Sequence, residues 1–262
     1  MEVALCVIGR LENRYASEFV EHYKALGFDH IFILDNNYEG EEHFEDVLGS
    51  YISDGYVTVI DVRGAKNLHL ESLNYCYNTY GDLYQWMMFV DFDEFLVIKS
   101  DIHDFLTGYD DFDCVLVNWK IMTDNNLLTD DGRSCMERFT EPMPYDRHVA
   151  YNFPENNHVK CIVRGGMDCK FVSNPHVPVG NIRCCTANGK SCDQSPFHPY
   201  DYSVAYIKHF VTKTAEEWCH NKWKKGVKGS FRSNFAKIYR DYFFKINEKT
   251  KKKEEYLMLW QK

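Results

Sequence analysis

Trp86-Met87-Met88-Phe89-Val90-Asp91-Phe92-Asp93-Glu94-Phe95-Leu96 is an apolar run that breaks into three carboxylates and then resumes. An unbroken apolar run of strand length reads as a strand buried on both faces, the habit of a parallel sheet. In such sheets ligands bind at the carboxyl ends of the strands. Carboxylates gathered there repel one another unless a cation joins them, and hard divalent cations take oxygen ligands. Because a strand alternates faces, Asp91 and Asp93 are expected to point one way while Phe92 packs inward. A solvated acidic strand end is the plainer alternative. The flanking Phe89, Val90, Phe92, Phe95 and Leu96 weigh against it, since buried carboxylates need partners.

The surrounding pattern predicts the rest of the sheet. Residues 2–8, 30–34, 56–61 and 114–119 are short, apolar and rich in β-branched or aromatic side chains. Between them, residues 15–26, 44–53 and 68–80 carry apolar positions at helical spacing, and Gly27 follows the first as a C-cap. Strands alternating with helices predict an α/β fold with a mixed, mainly parallel central sheet flanked by helices. Beyond residue 123 all seven prolines appear, with short strands expected at 159–164 and 170–172, and helical character returns from Thr214. This divides the chain into a catalytic-type domain over 1–221, with halves 1–120 and 121–221, and a helical tail over 222–262.

Composition narrows the function. Of 262 residues, 45% are hydrophobic and 26% charged, which excludes a disordered or repetitive chain. The net charge of -9 argues against binding nucleic acid through overall charge. The charge is unevenly spread: from Lys222 onward there are 13 basic and 4 acidic residues, a surplus of +9 interleaved with aromatics. Such a tail suits an anionic membrane surface, or else packs its aromatic stripe on the rest of the protein. The ten cysteines hold no CxxC pair and several lie in apolar runs, so they read as reduced core thiols of a cytoplasmic protein rather than zinc ligands. The apolar start, Val3 to Ile8, is too short for a secretory signal, and no run is long enough to span a membrane.

Two further stretches carry polar groups. Asp35-Asn36-Asn37 ends a predicted strand and offers short side chains for a base or ribose edge, although the trio is also a routine turn. In residues 206–218, His209 ends an apolar run, and Lys213 precedes Thr214, which has Glu217 at the capping-box position. A lone histidine is more often structural than a ligand. Beside a lysine it could serve a metal and a phosphate together.

In their order these pieces resemble the GT-A glycosyltransferases, specifically the family 92 and family 2-like group with an Asp-X-Asp-Glu-Phe motif. The resemblance rests on the opening stretch from Cys6 to Asn37, on Val90–Leu96, on residues 118–139, and on Lys208 to Trp218. It implies a GT-A, Rossmann-like fold that moves a sugar from a nucleotide sugar, most often a UDP-sugar with UDP-galactose among the candidates, to a glycan or lipid-linked glycan. Asp91, Asp93 and His209 would then hold Mn2+ or Mg2+ on the diphosphate, with Lys213 adding a positive charge. Arg10, Glu12, Asp35, Asn36, Lys66 and Asp91 would hold the nucleotide. An inverting transfer needs a general base, for which Asp124 and Glu94 are the candidates, with Asp130 and Asp131 as rivals. Trp119 and Trp86 are candidates for sugar stacking, with core packing the alternative for Trp86. A haloacid dehalogenase-type phosphatase also uses Asp-X-Asp, but after its first strand. A non-catalytic nucleotide-sugar- or carbohydrate-binding protein is the other reading. The tail suggests peripheral contact with the inner face of a membrane.

Overall fold

The apolar runs between Val3 and Asp91 form the elements their pattern predicts. The computed structural model describes residues 1–63, 69–144, 155–226 and 232–259. β1 (Val3–Gly9), α1 (Asn13–Ala25), β2 (His30–Asp35), α2 (Glu45–Ser53), β3 (Val57–Asp61), α3 (His69–Tyr80) and β4 (Trp86–Asp91) follow one another. The described residues group into two compact units, Met1–Trp119 with Asn156–Lys208, and Lys120–Glu155 with His209–Lys262. The halves drawn at residue 120 therefore interleave, and the boundary drawn at 221 falls inside a helix of the second unit.

In the first unit, β1 pairs in parallel with β2 and β4, and β2 with β3. The remaining strands are β5 (Glu94–Val97), β6 (Cys114–Ile121), β7 (Val159–Arg164), β8 (Cys169–Lys170), β9 (Val179–Gly180), β10 (Cys184–Thr186), β11 (Ser191–Cys192) and β12 (Tyr206–His209). The sheet order is β11-β10-β6-β7-β4-β1-β2-β3, with β5 off this path beside β12. The result is the expected mixed, mainly parallel sheet with flanking helices. β7 runs antiparallel to both β4 and β6. One side of the sheet buries Cys6, Phe32, Phe89, Cys114 and Cys161 against Leu73 and Tyr77 of α3. α1 contributes a second aromatic layer, in which Phe19 meets Tyr23, Phe92 and Phe95 with ring centroids 4.7 to 5.8 Å apart. A short helix over Ile102–Leu106 is capped by Asp101, whose Oδ1 accepts the Asp104 N–H at 2.9 Å. All ten cysteines are unbridged and nine are buried, as core thiols should be.

The second unit contains α4 (Cys135–Arg138), α5 (Ala215–Gly226), α6 (Arg232–Ile246) and α7 (Lys251–Leu259). Its core joins Ala215, Trp218 and Cys219 to Phe243 and Leu257. Trp218 stacks on Tyr242 at 5.8 Å and 11°. The described aromatics of the basic tail thus include rings used in packing, and Lys253 is buried. The capping box reads as expected: Thr214 Oγ1 accepts the Glu217 N–H at 3.2 Å, and the Thr214 N–H reaches Glu217 Oε2 at 3.0 Å. Among the described residues no helix is long and apolar enough to cross a membrane.

Candidate active site

β4 ends at Asp91, and the chain turns through Phe92 and Asp93 before β5 begins at Glu94. The two aspartates therefore flank a turn, where a single alternating strand was expected. Phe92 still packs inward, 2% exposed and stacked on Phe44 at 5.1 Å and 8°. Gly9, at the end of β1, makes that seat: a Cβ there would strike the Phe92 ring and lie 3.0 Å from Phe44 Cζ. Glu94 folds back on the turn, and its Oε2 accepts the Asp91 backbone N–H at 2.9 Å.

The centre of this turn is a residue that the sequence motifs do not include. Lys160 Nζ donates to Asp91 Oδ2 at 2.8 Å and lies 3.3 Å from Glu94 Oε2. Topology explains its arrival. Because β7 is antiparallel to β4, with Met88 opposite Ile162, its first residues lie beside the last residues of β4. A lysine within Val159-Lys160-Cys161-Ile162-Val163 was the available signal, since a charge in a buried strand demands a partner.

The electrostatics are uneven. Burial would raise Asp91, but Lys160 and His69 outweigh it and hold the carboxyl below its ordinary range. Burial would lower Lys160, yet Asp91 and Glu94 raise it above the usual lysine value. Burial pushes Glu94 well up, against the pull of Lys160. Glu94 Oε1 is buried and has no hydrogen-bond partner among the described residues. This oxygen wants a positive partner, a proton or a cation. Three carboxylates on one turn, with a lysine between two of them and one oxygen unserved, fit a hard divalent ion such as Mn2+ or Mg2+.

The neighbouring strand ends are closed by contrast. Asp35 is 1% exposed, and its Oδ1 accepts Asn37 N–H and Nδ2 at 2.9 and 2.7 Å. Asn37 Oδ1 in turn accepts the N–H of Leu11, whose φ is +57°. The Asn36 N–H donates to the Gly9 carbonyl at 2.9 Å. Arg10 lies 3.8 Å from the Tyr38 ring centroid and donates from Nε to Glu41 at 2.7 Å. Glu12, 7% exposed, sits where α1 begins. Lys66 lies outside the described residues.

Trp86 is core, 1% exposed, with Arg164 over its ring at 4.3 Å. Trp119 is 8% exposed and stacks on His158 at 4.7 Å and 19°.

His209, Lys213 and Asp124 belong to the second unit. The His209 side chain is buried, and its carbonyl accepts the Met122 N–H at 3.1 Å. Lys213 is also buried, with φ +51°, immediately before the helix cap. Asp124 lines a pocket of about 420 Å3 with Asn125, Asn126, Glu141, Pro142 and Glu248. Its Oδ2 lies 2.7 Å from Lys253 Nζ, and its Oδ1 accepts the Asn126 N–H at 2.9 Å. The rivals are committed to arginines, Asp130 to Arg138 at 3.1 Å and Asp131 to Arg133 at 2.6 Å.

The model of glycosyltransferase family 92 matches residues 3–252. No curated protein matches the sequence. Among solved structures, S. aureus TarS 1-349 is 14% identical, with a TM-score of 0.38 over 46% of this chain and 36% of that one. The chain thus spans little more than a third of that relative. TarS 1-349 in complex with UDP-GlcNAc is 11% identical, with a TM-score of 0.48 over 99% of this chain and 71% of the other. HddC from Yersinia pseudotuberculosis is 11% identical, with a TM-score of 0.32 over 80% and 77%.

Proposed function

The chain belongs to glycosyltransferase family 92, and we propose that it moves a hexose from a UDP-sugar to a glycan or lipid-linked glycan with the help of Mn2+ or Mg2+. The observation that carries this reading is the Asp91–Lys160–Glu94 arrangement at the carboxyl end of β4, with its unserved buried oxygen. Asp91 and Asp93 are the residues to hold the ion. When bound, the ion supplies Lewis-acid stabilisation of the departing diphosphate.

The chain's own groups do the rest. Lys160 fixes the Asp91 carboxylate, and Glu94 clasps the Asp91 backbone, so the turn keeps its shape before any ligand arrives. Phe92 in its seat beside Gly9 keeps water from beneath the turn. On the resemblance, Arg10, Glu12, Asn36 and Lys66 are assigned to the nucleoside, and Asp35, buried and bonded to Asn37, shapes the strand end that would receive it. The roles of His209, Lys213 and Asp124 rest on the resemblance and are tested by substitution. We read the transfer as inverting, with an acceptor-side carboxylate taking the hydroxyl proton. A lipid-linked acceptor accords with the exposed Lys251, Lys252, Met258 and Leu259 of α7.

The test is thermal stabilisation and sugar release across a UDP-sugar panel, with and without Mn2+, for wild type and Asp93→Ala. Stabilisation or turnover that needs both the ion and Asp93 supports the reading. No response to any nucleotide sugar, with Asp93→Ala indistinguishable from wild type, overturns it.

A further inference from the structure

His176, between β8 and β9 in the first unit, has no part in the chemistry proposed for the transfer. Its Nδ1 lies 3.0 Å from the Val159 carbonyl oxygen. A carbonyl can only accept, so the ring proton sits on Nδ1 and Nε2 presents a bare lone pair. The ring is fixed in place. It meets Trp119 edge-on at 5.1 Å and 67°, and His158 at 5.4 Å. Burial first, then Lys160, hold its pKa down at about 3, so the ring stays neutral at working pH.

The surroundings of Nε2 differ from those of a core histidine. The residue is half-buried, and Nε2 has no protein partner among the described residues. The ring is bonded to Val159, the neighbour of Lys160, at the end of β7 that lies beside the carboxyl end of β4. No set of clustered metal-ligating side chains among the described residues includes it. What remains is a fixed, neutral acceptor at the edge of the candidate site. An ionised diphosphate has no hydrogen to offer it. Sugar hydroxyls do.

Resting on the function proposed above, we propose that His176 Nε2 accepts a hydrogen bond from a sugar hydroxyl of the bound nucleotide sugar and so helps to select it. Trp119 and His158 act through His176, as the walls that stop the imidazole from turning away.

Two substitutions separate this role from a structural one. His176→Asn keeps an amide able to serve the Val159 carbonyl and removes the acceptor at the Nε2 position. His176→Gln places an amide oxygen near that position. Affinities of the full-length chain for UDP, UDP-glucose, UDP-galactose and UDP-GlcNAc are measured with Mn2+ by calorimetry. Loss of one hydrogen bond to a neutral partner is expected to weaken the recognised UDP-sugar about five- to tenfold in His176→Asn, with recovery in His176→Gln. A loss confined to the UDP-sugar identifies the hexose as the hydroxyl source, and an equal loss for UDP identifies the ribose. Either result supports the inference. Wild-type and His176→Asn chains that bind every ligand equally overturn it and leave the transferase reading standing. A wild-type chain that binds no nucleotide sugar overturns both.

Discussion

Lys160 and Lys253 are both buried and both answer carboxylates, but they do it differently. In the first unit Lys160 serves Asp91 and Glu94 together, and Glu94 Oε1 is left without a hydrogen-bond partner among the described residues. In the second unit Lys253 faces a single carboxylate, Asp124, and also donates to Asn126 Oδ1 at 2.9 Å. The Asp124 backbone N–H is held as well, by Asn247 Oδ1 at 2.7 Å. The second arrangement is a finished staple that fixes a loop. The first leaves a buried oxygen for a proton or a cation to fill. On the function proposed above, that unserved oxygen is what sets the first arrangement apart.

The sharpest break of this contrast is Lys160→Met. It leaves Asp91 and the wholly buried Glu94 without their cation, so stability should fall by about 3–5 kcal/mol and transfer by about a hundredfold or more. Adding Glu94→Gln should restore much of the melting temperature and little of the turnover. Equal recovery of both would erase the distinction between the two lysines. Asp124→Asn is the matched change on the other side. It should cost about 3 kcal/mol by stranding Lys253, and turnover of the folded enzyme within a few-fold of wild type would take Asp124 off the list of bases. A collapse of kcat at unchanged stability would instead make Asp124 the base.

A smaller effect is expected from Gly9→Ala, which intrudes on the seat of Phe92. Overpacking of this kind costs about 1–3 kcal/mol, and the displaced turn should weaken Mn2+-dependent donor binding. A variant with wild-type donor affinity would show that the turn does not depend on that seat. The mildest test is pH. Burial lowers the pKa of both His22 and His30 below 6.5, so the folded state binds fewer protons than the unfolded state. Their contribution is complete above pH 6.5 and declines as pH falls below it. Melting temperature should therefore slope downward from pH 7 to 5, and His22→Asn with His30→Asn should remove part of the slope, His69 and His176 retaining theirs.

Much of the fold could be read locally. Strand and helix periods from Val3 to Asp91, the inward Phe92 and the Thr214–Glu217 cap each depend on residues a few positions apart. The turn at Phe92–Asp93 was missed because Glu94-Phe95-Leu96 continues the same apolar texture, and only pairing with β12 makes it a separate strand. Lys160 was missed for a deeper reason. It meets Asp91 across 69 positions through an antiparallel pairing that leaves no periodic trace. His176 has no local signature at all, because its tautomer is set by a carbonyl 17 residues away. Net charge alone does not show which of the tail's basic residues are already paired. Lys245 and Lys253 spend their charge on Glu155 and Asp124, within the second unit.

The pairing of β6 with β7 has a consequence for how such a chain can diversify. The β6–β7 register ends where Asn118 faces Val159. That pairing fastens both ends of the chain that runs between them. Closing such a loop becomes dearer only slowly with length, about 0.6 kcal/mol for each doubling. Asp124 and Arg138, which bond to Asn247, Lys253 and Glu217, anchor this stretch to the second unit's helices. Length added away from those anchors leaves β4, β7 and the lysine they share in register.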